Sequence, residues 1–469
     1  MAIFPGRIKM AKSEKNTVKK ENVSVAALTS LGCAKNFVET EIAAASFLQE
    51  GIGLAAEGEE NIRYINTCAF LKSARQEAAQ HIREAGEWKK QKKGRLICVG
   101  GCLVAHTPIE ELKKEFPFVD LFIGIDDTSS SGKLLKELLK KGGTGKEPST
   151  TKEFIYECNT PRLQLTAPHY AYLKISDGCD NCCTYCLIPS IRGKLRSRKP
   201  ESIIQEAKNL IDSGVKELII IAQDTSAYGK DLAGKSLLPE LLLELDKIGG
   251  DHLLRLMYLH PAGVTDELIH VLKNMKHLVK CLEMPIQHID GDVLKNMNRK
   301  IFEKETEEVL KKLKKASFAL RTTFMTGFPG ETEEAFGKLL SLVKKFKFQR
   351  LGVFAYSPEK GTPGAKMPGR PSAKTGEERR KIILEEQAKI SEKYNKALLG
   401  KMVEMIIDAP EVENVWVGRT IIDAPDIDNL VYVESFDAVL TPGMRVKCLV
   451  KQVSMYDILA EYTPAKKKK

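Results

Sequence analysis

Four cysteines lie within eight consecutive residues of this 469-residue chain: Cys179, Cys182, Cys183 and Cys186. Only 11 cysteines occur in the whole sequence, so a cluster this dense indicates metal ligands rather than packing. Structural zinc usually takes two CxxC pairs a dozen or more residues apart, and a bacterial ferredoxin would need a cysteine where Tyr185 stands. The spacing that remains is CxxxCxxC, formed by Cys179, Cys183 and Cys186. In preference to a structural zinc site or a disulfide, it predicts an iron-sulfur cluster with three thiolates and one open iron, and it leaves Cys182 outside the ligand set.

This spacing resembles that of the radical S-adenosylmethionine (SAM) enzymes. In that family the open iron of a 4Fe-4S cluster binds SAM, and an electron from the cluster cleaves a carbon-sulfur bond to release a 5'-deoxyadenosyl radical. Tyr185 stands where the family places an aromatic residue near the adenine, and ordinary loop packing is the alternative for this side chain.

The sequence contains no stretch of 18 apolar residues, and its first 23 residues are basic and polar. It therefore predicts neither a membrane-spanning helix nor a secretory signal, and we expect a cytoplasmic protein. In a reducing compartment, clustered cysteines are metal ligands rather than disulfides. Most of the net charge of +11 lies in two segments, 1–20 with net +5 and 466–469 with +4. We expect disordered basic tails over 1–22 and 463–469, which either attract RNA loosely or only aid solubility.

Residues 23–141 alternate between apolar β runs and helical stretches, which predicts an open α/β domain with a mostly parallel sheet. Cys33, Cys68 and Cys102 each follow a predicted strand directly. Because the carboxyl ends of parallel strands share one edge of a sheet, these thiols could converge and form a second set of three ligands. Three unrelated buried cysteines are the alternative that the pattern alone leaves open. Cys98 lies inside its strand and is predicted to belong to the core.

A linker over 142–168 leads to six further βα units over 169–371. Six units are fewer than the eight of a closed barrel, so we predict an open partial (β/α)6 barrel with its site at the carboxyl ends of the strands. The cluster loop follows the first of these strands. Later strand ends supply candidate SAM contacts, although turn formation or strand capping explains any one of them at least as well; they are Gln223, Asp224, Thr225, Gln287, Arg321 and the turn over 327–331.

A charged helix over 372–400, with an apolar stripe of Ile382, Ile383, Leu384 and Ile390, connects to short β runs over 401–462. Those runs are separated by Pro, Gly, Asp and Asn turns and predict a small antiparallel β-barrel. Residues 401–461 hold 11 Asp or Glu against 5 Lys or Arg. A barrel that gripped a phosphate backbone ought to be basic, so this composition disfavours nucleic acid as its ligand.

Taken together, the chain resembles the methylthiotransferase family of radical SAM enzymes over nearly its whole length. The motifs that carry the resemblance are LGCAKN at 31–36, NTCAF at 66–70, GCLV at 101–104 and CDNCCTYCLIPSIR at 179–192. The resemblance implies a TRAM domain after the barrel and two 4Fe-4S clusters. Cys179, Cys183 and Cys186 would hold one cluster, and Cys33, Cys68 and Cys102 would hold the other.

Within the family, three motifs are similar to the branch that modifies the β-carbon of an aspartate in ribosomal protein S12; they are IPSIRG at 188–193, AQDT at 222–225 and GRT at 418–420. The branch that modifies isopentenyl-adenosine in tRNA is the alternative, and a non-catalytic iron-sulfur carrier is a weaker one. An extra thiol at Cys182 departs from the polar or basic residue that we expect there.

The implied chemistry is radical, because an unactivated carbon offers no practical proton to a base. One SAM would methylate a sulfur on the N-terminal cluster, a second SAM would supply the radical, and a flavodoxin- or ferredoxin-type protein would donate electrons. The acidic C-terminal barrel would suit a basic ribosomal protein. We therefore expect the replacement of Asp423, Asp426 and Asp428 with asparagine to weaken binding of that protein and to leave SAM cleavage intact.

Overall fold

The computed structural model describes residues 24–141, 147–149 and 151–464. The predicted basic tail over 1–22 and residues 465–469 of the predicted C-terminal tail lie outside the described residues, as does 142–146 at the start of the linker. Within the described ranges, no helix combines the length and the apolar character that crossing a bilayer requires.

The N-terminal domain contains one five-stranded parallel sheet with helices on both faces. Its strands are β1 Val25–Ser30, β2 Gly53–Leu54, β3 Ile62–Thr67, β4 Leu96–Gly101 and β5 Leu121–Ile123, in the order β2-β1-β3-β4-β5. Its helices are α1 Ala34–Gln49, α2 Lys72–Lys90, α3 Cys102–His106, α4 Ile109–Glu115 and α5 Ser131–Lys141. The two-residue strand β2 is the one that the sequence did not predict. Cys98 is fully buried in the core, as expected.

Six parallel strands form the central partial barrel, which confirms the predicted architecture. They lie in two three-stranded sheets that meet through one parallel bridge between Leu254 and Leu278. The strands are β6 Tyr170–Lys174, β9 Glu217–Ile221, β10 Leu253–Leu256, β11 Cys281–Glu283, β12 Ala319–Thr326 and β13 Arg350–Ala355, and the short antiparallel pair β7 Ser176–Asp177 and β8 Arg196–Ser197 frames the cluster loop. The helices are α6 Ile188–Arg192, α7 Pro200–Asp212, α8 Lys230–Ala233, α9 Leu238–Asp246, α10 Asp266–Asn274, α11 Gly291–Asn296, α12 Glu303–Lys315 and α13 Glu333–Phe346.

Helix α1 of the N-terminal domain packs into the interior of the barrel. Along β9, Leu218 packs with the outer helices, whereas Ile219 belongs to a separate cluster with Tyr172 of β6. Val38 and Ile42 of α1 join that inner cluster. Because successive side chains of a strand point to opposite faces, the second cluster is the inner one. Residues at the start of α1 are therefore held at the barrel.

The long helix α14, Ala373–Lys396, follows the barrel. Ile383 is fully buried, but Ile382 is 42% exposed, so the predicted apolar stripe was wrong at that position. Consecutive residues of a helix are about 100° apart, and at this position the turn directs Ile382 toward solvent, whereas Leu384 and Ile390 pack partly buried against the same core as Ile383. Polar contacts complete the buried side, since Gln387 donates a hydrogen bond to the carbonyl oxygen of Phe348.

Five strands close the C-terminal barrel in the order β14-β15-β16-β18-β17. They are β14 Met402–Val412, β15 Val415–Thr420, β16 Val431–Glu434, β17 Arg445–Val453 and β18 Ile458–Glu461. The sequence predicted the first four. The last strand pairs in parallel with β16, so this barrel is not wholly antiparallel as we expected.

The loop over 421–428 of the C-terminal barrel packs against the start of the central strands. Asp423 lies 2.5 Å from Arg350, the first residue of β13, and Asp428 pairs with Arg321. Tyr170, which opens β6, donates a hydrogen bond to Asp426 at 2.5 Å. These contacts place the loop at the end of the barrel opposite the carboxyl ends of its strands.

The structure therefore contradicts direct binding of the substrate protein by Asp423 and Asp428, whereas for Asp426 it stays a prediction. Asp423 is fully buried, the side chain of Asp428 is almost buried, and Asp426 is exposed but already accepts a hydrogen bond. Sequence charge alone does not reveal these internal partners. Part of the acidic character of this barrel attaches it to the rest of the chain, since Asp408 also pairs with His169 of the central unit.

Replacing Asp423 with asparagine is expected to lower the free energy of unfolding by about 1.5–3 kcal/mol, because Arg350 loses its buried charged partner. The matched control is Asp437→Asn, since Asp437 is exposed in the same barrel. Urea unfolding of both variants and the wild type measures the difference. Equal midpoints for the three proteins would contradict the structural role of this pair.

Candidate active site

The barrel cysteines lie in a tight loop between β7 and β8. Gly178 opens the loop with φ of +74°, and a Cβ there would lie 2.0 Å from the carbonyl oxygen of Lys194, so only glycine fits. The backbone nitrogen of Cys179 donates to the carbonyl oxygen of Gly193 at 3.2 Å. The backbone nitrogen of Cys186 donates to the carbonyl oxygen of Cys183 at 3.0 Å. The backbone thus fixes the three predicted ligands relative to one another.

The thiols of this loop interact electrostatically. Burial, with a smaller contribution from the charge of Cys183, raises the pKa of Cys179 to about 11 and the pKa of Cys186 to about 12. Arg299 brings a guanidinium nitrogen to 3.9 Å from the Cys183 sulfur. A metal that binds as a cation replaces the protons of such thiols. The arrangement fits a cluster held by three thiolates next to a compensating positive charge.

Cys182 differs from its three neighbours. It is exposed and adopts a positive φ of 51°. Its carbonyl oxygen accepts a hydrogen bond from Asn298 at 3.0 Å. The structure therefore separates this thiol from the other three by its exposure, and that it is not a ligand stays a prediction.

The side chains predicted to contact SAM fall into two groups. Tyr185 packs edge to face against Phe328, with ring centroids 6.2 Å apart, and its hydroxyl lies 3.4 Å from Arg299. Gln223 donates to Asp177 at 2.9 Å, close to the start of the cluster loop. Both therefore lie at the cluster edge of the barrel.

Gln287 and Arg321 are placed differently. Gln287 has a positive φ of 71°, and its backbone bridges β12 by bonds to Thr323 and Met325. Arg321 is the third residue of β12 and pairs with Asp428, with Glu283 3.7 Å away. Its guanidinium is thus already committed to carboxylates of this chain.

The three N-terminal cysteines come together at the edge of their sheet. Cys33 caps the start of α1, Cys68 follows β3, and Cys102 begins α3. A Cβ on Gly32 would lie 3.0 Å from the Cys68 sulfur, so the backbone next to Cys33 nearly touches that thiol. Burial raises the pKa of Cys68 to about 11 and of Cys102 to about 12, and the charge of Cys33 raises both. The structure thus brings together the residues that the sequence placed after successive strands.

Both sets of thiols have the chemistry that an iron-sulfur cluster needs. All 11 cysteines are free thiols. Among the described residues, no three His, Cys, Asp or Glu side chains gather as they would around a single metal ion. A 4Fe-4S cluster instead takes its thiolates on separate irons, which suits two sets of three cysteines.

Arg192 joins the two sets, and sequence reasoning missed this role. It lies on α6, six residues after Cys186, and one guanidinium nitrogen is 3.3 Å from the Cys102 sulfur and 2.6 Å from Asn36. The other nitrogen lies 2.5 Å from Glu39 and 3.0 Å from Asp177. This one side chain connects the loop of one thiol set to a thiol of the other.

Lys174 completes the buried charge network. It lies 3.2 Å from Glu39 and 2.9 Å from Asp177, and all these side chains are less than 5% exposed. Burial alone would raise the pKa of Asp177, but Arg192 and Lys174 outweigh it and hold that pKa well below its usual range. The sequence signal was the presence of charged residues inside apolar elements, such as Glu39 in the buried face of α1.

Three family descriptions match successive parts of the chain. The Uncharacterized protein family UPF0004 matches 25–124, the Radical SAM superfamily matches 173–343, and the TRAM domain matches 399–462. These ranges follow the order of the three structural units described above.

Curated relatives match almost the full length. The ribosomal protein uS12 methylthiotransferase RimO of Syntrophus aciditrophicus is 42% identical, and the match covers 92% of this chain and 97% of that protein. The protein of the same name from Clostridioides difficile is also 42% identical, with 93% and 98% covered.

Solved structures share the fold at low sequence identity. The radical SAM methyltransferase TsrM of Kitasatospora setae has a TM-score of 0.53 at 13% identity, covering 73% of this chain and 77% of that one. The cobalamin-dependent SAM radical enzyme OxsB has a TM-score of 0.55 at 11% identity, covering 80% and 68%. At such identities these matches concern the fold alone, whereas the curated relatives set the family: the chain belongs to the RimO family of radical SAM methylthiotransferases.

Proposed function

We propose that this enzyme adds a methylthio group to the β-carbon of an aspartate in ribosomal protein S12, and that it does so in the cytoplasm. The observation that carries the proposal is the full-length similarity to RimO proteins, in a chain that brings two sets of three thiols together through Arg192. We assign the N-terminal unit to 23–141, the radical SAM core to 169–371 and the TRAM domain to 401–462.

Each thiol set would hold one 4Fe-4S cluster. Cys179, Cys183 and Cys186 would bind the first, and the second set is Cys33, Cys68 and Cys102. When bound, one cluster would supply the electron for SAM cleavage and the other would carry the methylated sulfur. The chain itself contributes burial, since Cys68 and Cys102 are 7% and 5% exposed, which limits the access of water.

The remaining side chains would position SAM and the electron donor. Tyr185 and Gln223 lie at the cluster edge and are the better supported contacts. Gln287 lines the adjoining strand end, and Arg321 would reach SAM only by leaving Asp428. We propose a flavodoxin- or ferredoxin-type protein as the source of electrons.

Mass spectrometry tests the proposed substrate. Reconstituted enzyme, SAM with a deuterated methyl group and a reductant are incubated with S12 and, separately, with isopentenyl-adenosine tRNA. We expect one aspartate of S12 to gain a deuterated methylthio group in place of one hydrogen, while the tRNA digest stays unchanged. Methylthio-adenosine together with unmodified S12 would overturn the assignment in favour of the tRNA branch.

A further inference from the structure

Lys35 is a buried lysine that lies between the two thiol sets. It is the second residue of α1, two positions after Cys33, and it is 7% exposed. Its Nζ lies 3.2 Å from the centroid of the Tyr258 ring, which follows β10 at the carboxyl end of that strand. The side chain thus spans from the N-terminal thiols to the edge of the barrel where the other cluster loop lies.

The other buried cations at this edge all have acceptors. Lys174 binds Glu39 and Asp177, and Arg192 binds the same two carboxylates. Lys35 is different: among the described residues, no oxygen accepts a hydrogen bond from its Nζ, which lies instead over the face of the Tyr258 ring. It is therefore the cation at this edge that can still receive a ligand.

An ammonium group that is buried without an acceptor is unfavourable, because it has lost water and gained no hydrogen bond. The face of Tyr258 compensates for part of this loss. A carboxylate that entered here would supply the missing acceptors.

Glu283 is the one competing explanation for this lysine. It is buried, its Oε2 has no hydrogen-bond partner among the described residues, and its Oε1 is 3.7 Å from Arg321. Lys35 could serve only to balance that charge. The two explanations differ in whether the charge of the substrate matters.

We propose that Lys35 binds the carboxylate of the substrate aspartate and so selects aspartate over an uncharged side chain. This inference rests on the proposed function and names the residue that gives it specificity. Reaction at the β-carbon leaves the carboxylate intact, so the same contact holds substrate and product. Its place between the two thiol sets is where an aspartate would have to enter to meet both.

The test compares how tightly two forms of S12 bind to wild-type enzyme and to a Lys35 variant. S12 with its native aspartate and S12 with asparagine at that position are titrated calorimetrically into reconstituted enzyme without reductant. Wild-type enzyme is expected to bind the aspartate form about 10- to 100-fold more tightly, since a hydrogen bond to a charged group contributes on that scale. Lys35→Met is expected to bring this ratio close to one by weakening only the aspartate form.

Two further variants separate the explanations. Glu283→Gln is expected to keep the preference for aspartate, because Lys35 stays in place. Lys35→Gln is a second uncharged replacement if Lys35→Met folds poorly, which iron content and thermal unfolding reveal. If enzyme without Lys35 still discriminates as well as the wild type, the inference is wrong while the proposed function stands. If the wild type neither binds nor modifies S12, both fail.

Discussion

Replacing Cys183 with alanine is expected to abolish SAM cleavage, whereas replacing Cys102 with alanine is expected to leave SAM cleavage intact and to stop methylthio transfer. The reason is that the two residues belong to separate thiol sets, one in the barrel loop and one at the N-terminal sheet edge. Release of 5'-deoxyadenosine measures the first activity, and modified S12 measures the second. The same separation is expected for the other two cysteines of each set.

Two single-thiol controls sharpen this experiment. Cys158 is exposed and outside both sets, so Cys158→Ala is expected to keep both activities. Cys182→Ala tests the ligand assignment itself, because that thiol adjoins Cys183 but is exposed. Loss of SAM cleavage in Cys182→Ala with retention in Cys183→Ala would mean that Cys182, and not Cys183, is a ligand of the cluster. Loss of both activities in Cys102→Ala would mean that the N-terminal thiols are not an independent site.

Arg192→Met is expected to lower the free energy of unfolding by about 3–5 kcal/mol, because Glu39 and Asp177 are left buried with one cation fewer. Methylthio transfer should fall to background, since the side chain that joins the two units is lost. The reduction potential of the N-terminal cluster should also fall, because a donor to the Cys102 sulfur is removed. Urea unfolding, S12 modification and an EPR-monitored redox titration measure the three effects.

Arg192→Lys and Lys194→Met complete the comparison. Lysine keeps the charge but cannot reach two carboxylates and a sulfur as the planar guanidinium does, so we expect an intermediate loss. Lys194 is exposed two residues away and should tolerate methionine. Equal unfolding midpoints and equal potentials in Arg192→Met and the wild type would show that the network has no such role.

The strand-level architecture could be predicted because its signals are local. Cys33, Cys68 and Cys102 each follow a strand, and parallel strands bring their carboxyl ends to one edge whatever lies between them. The six strands of the central barrel were equally readable from their apolar runs. Strands β2, β7 and β8 escaped because two residues carry too little pattern, and the four-residue strand β18 escaped as well.

The contacts between units could not be predicted, because they depend on partners far apart in the chain. Arg192 meets Cys102 across 90 residues, and Asp423 meets Arg350 across 73. From sequence, Asp423 looked like any acidic surface residue. The partner of a charged residue can be identified only from the folded structure, when the two residues are far apart in the sequence.

Iron content per chain shows directly whether one chain holds two separate clusters on two sets of three thiols. Anaerobically reconstituted wild-type protein is expected to hold about eight irons, and protein with Cys33, Cys68 and Cys102 all replaced by alanine about four, with Mössbauer spectra of a 4Fe-4S cluster in each. About four irons in the wild type, or none in the triple variant, would contradict the account.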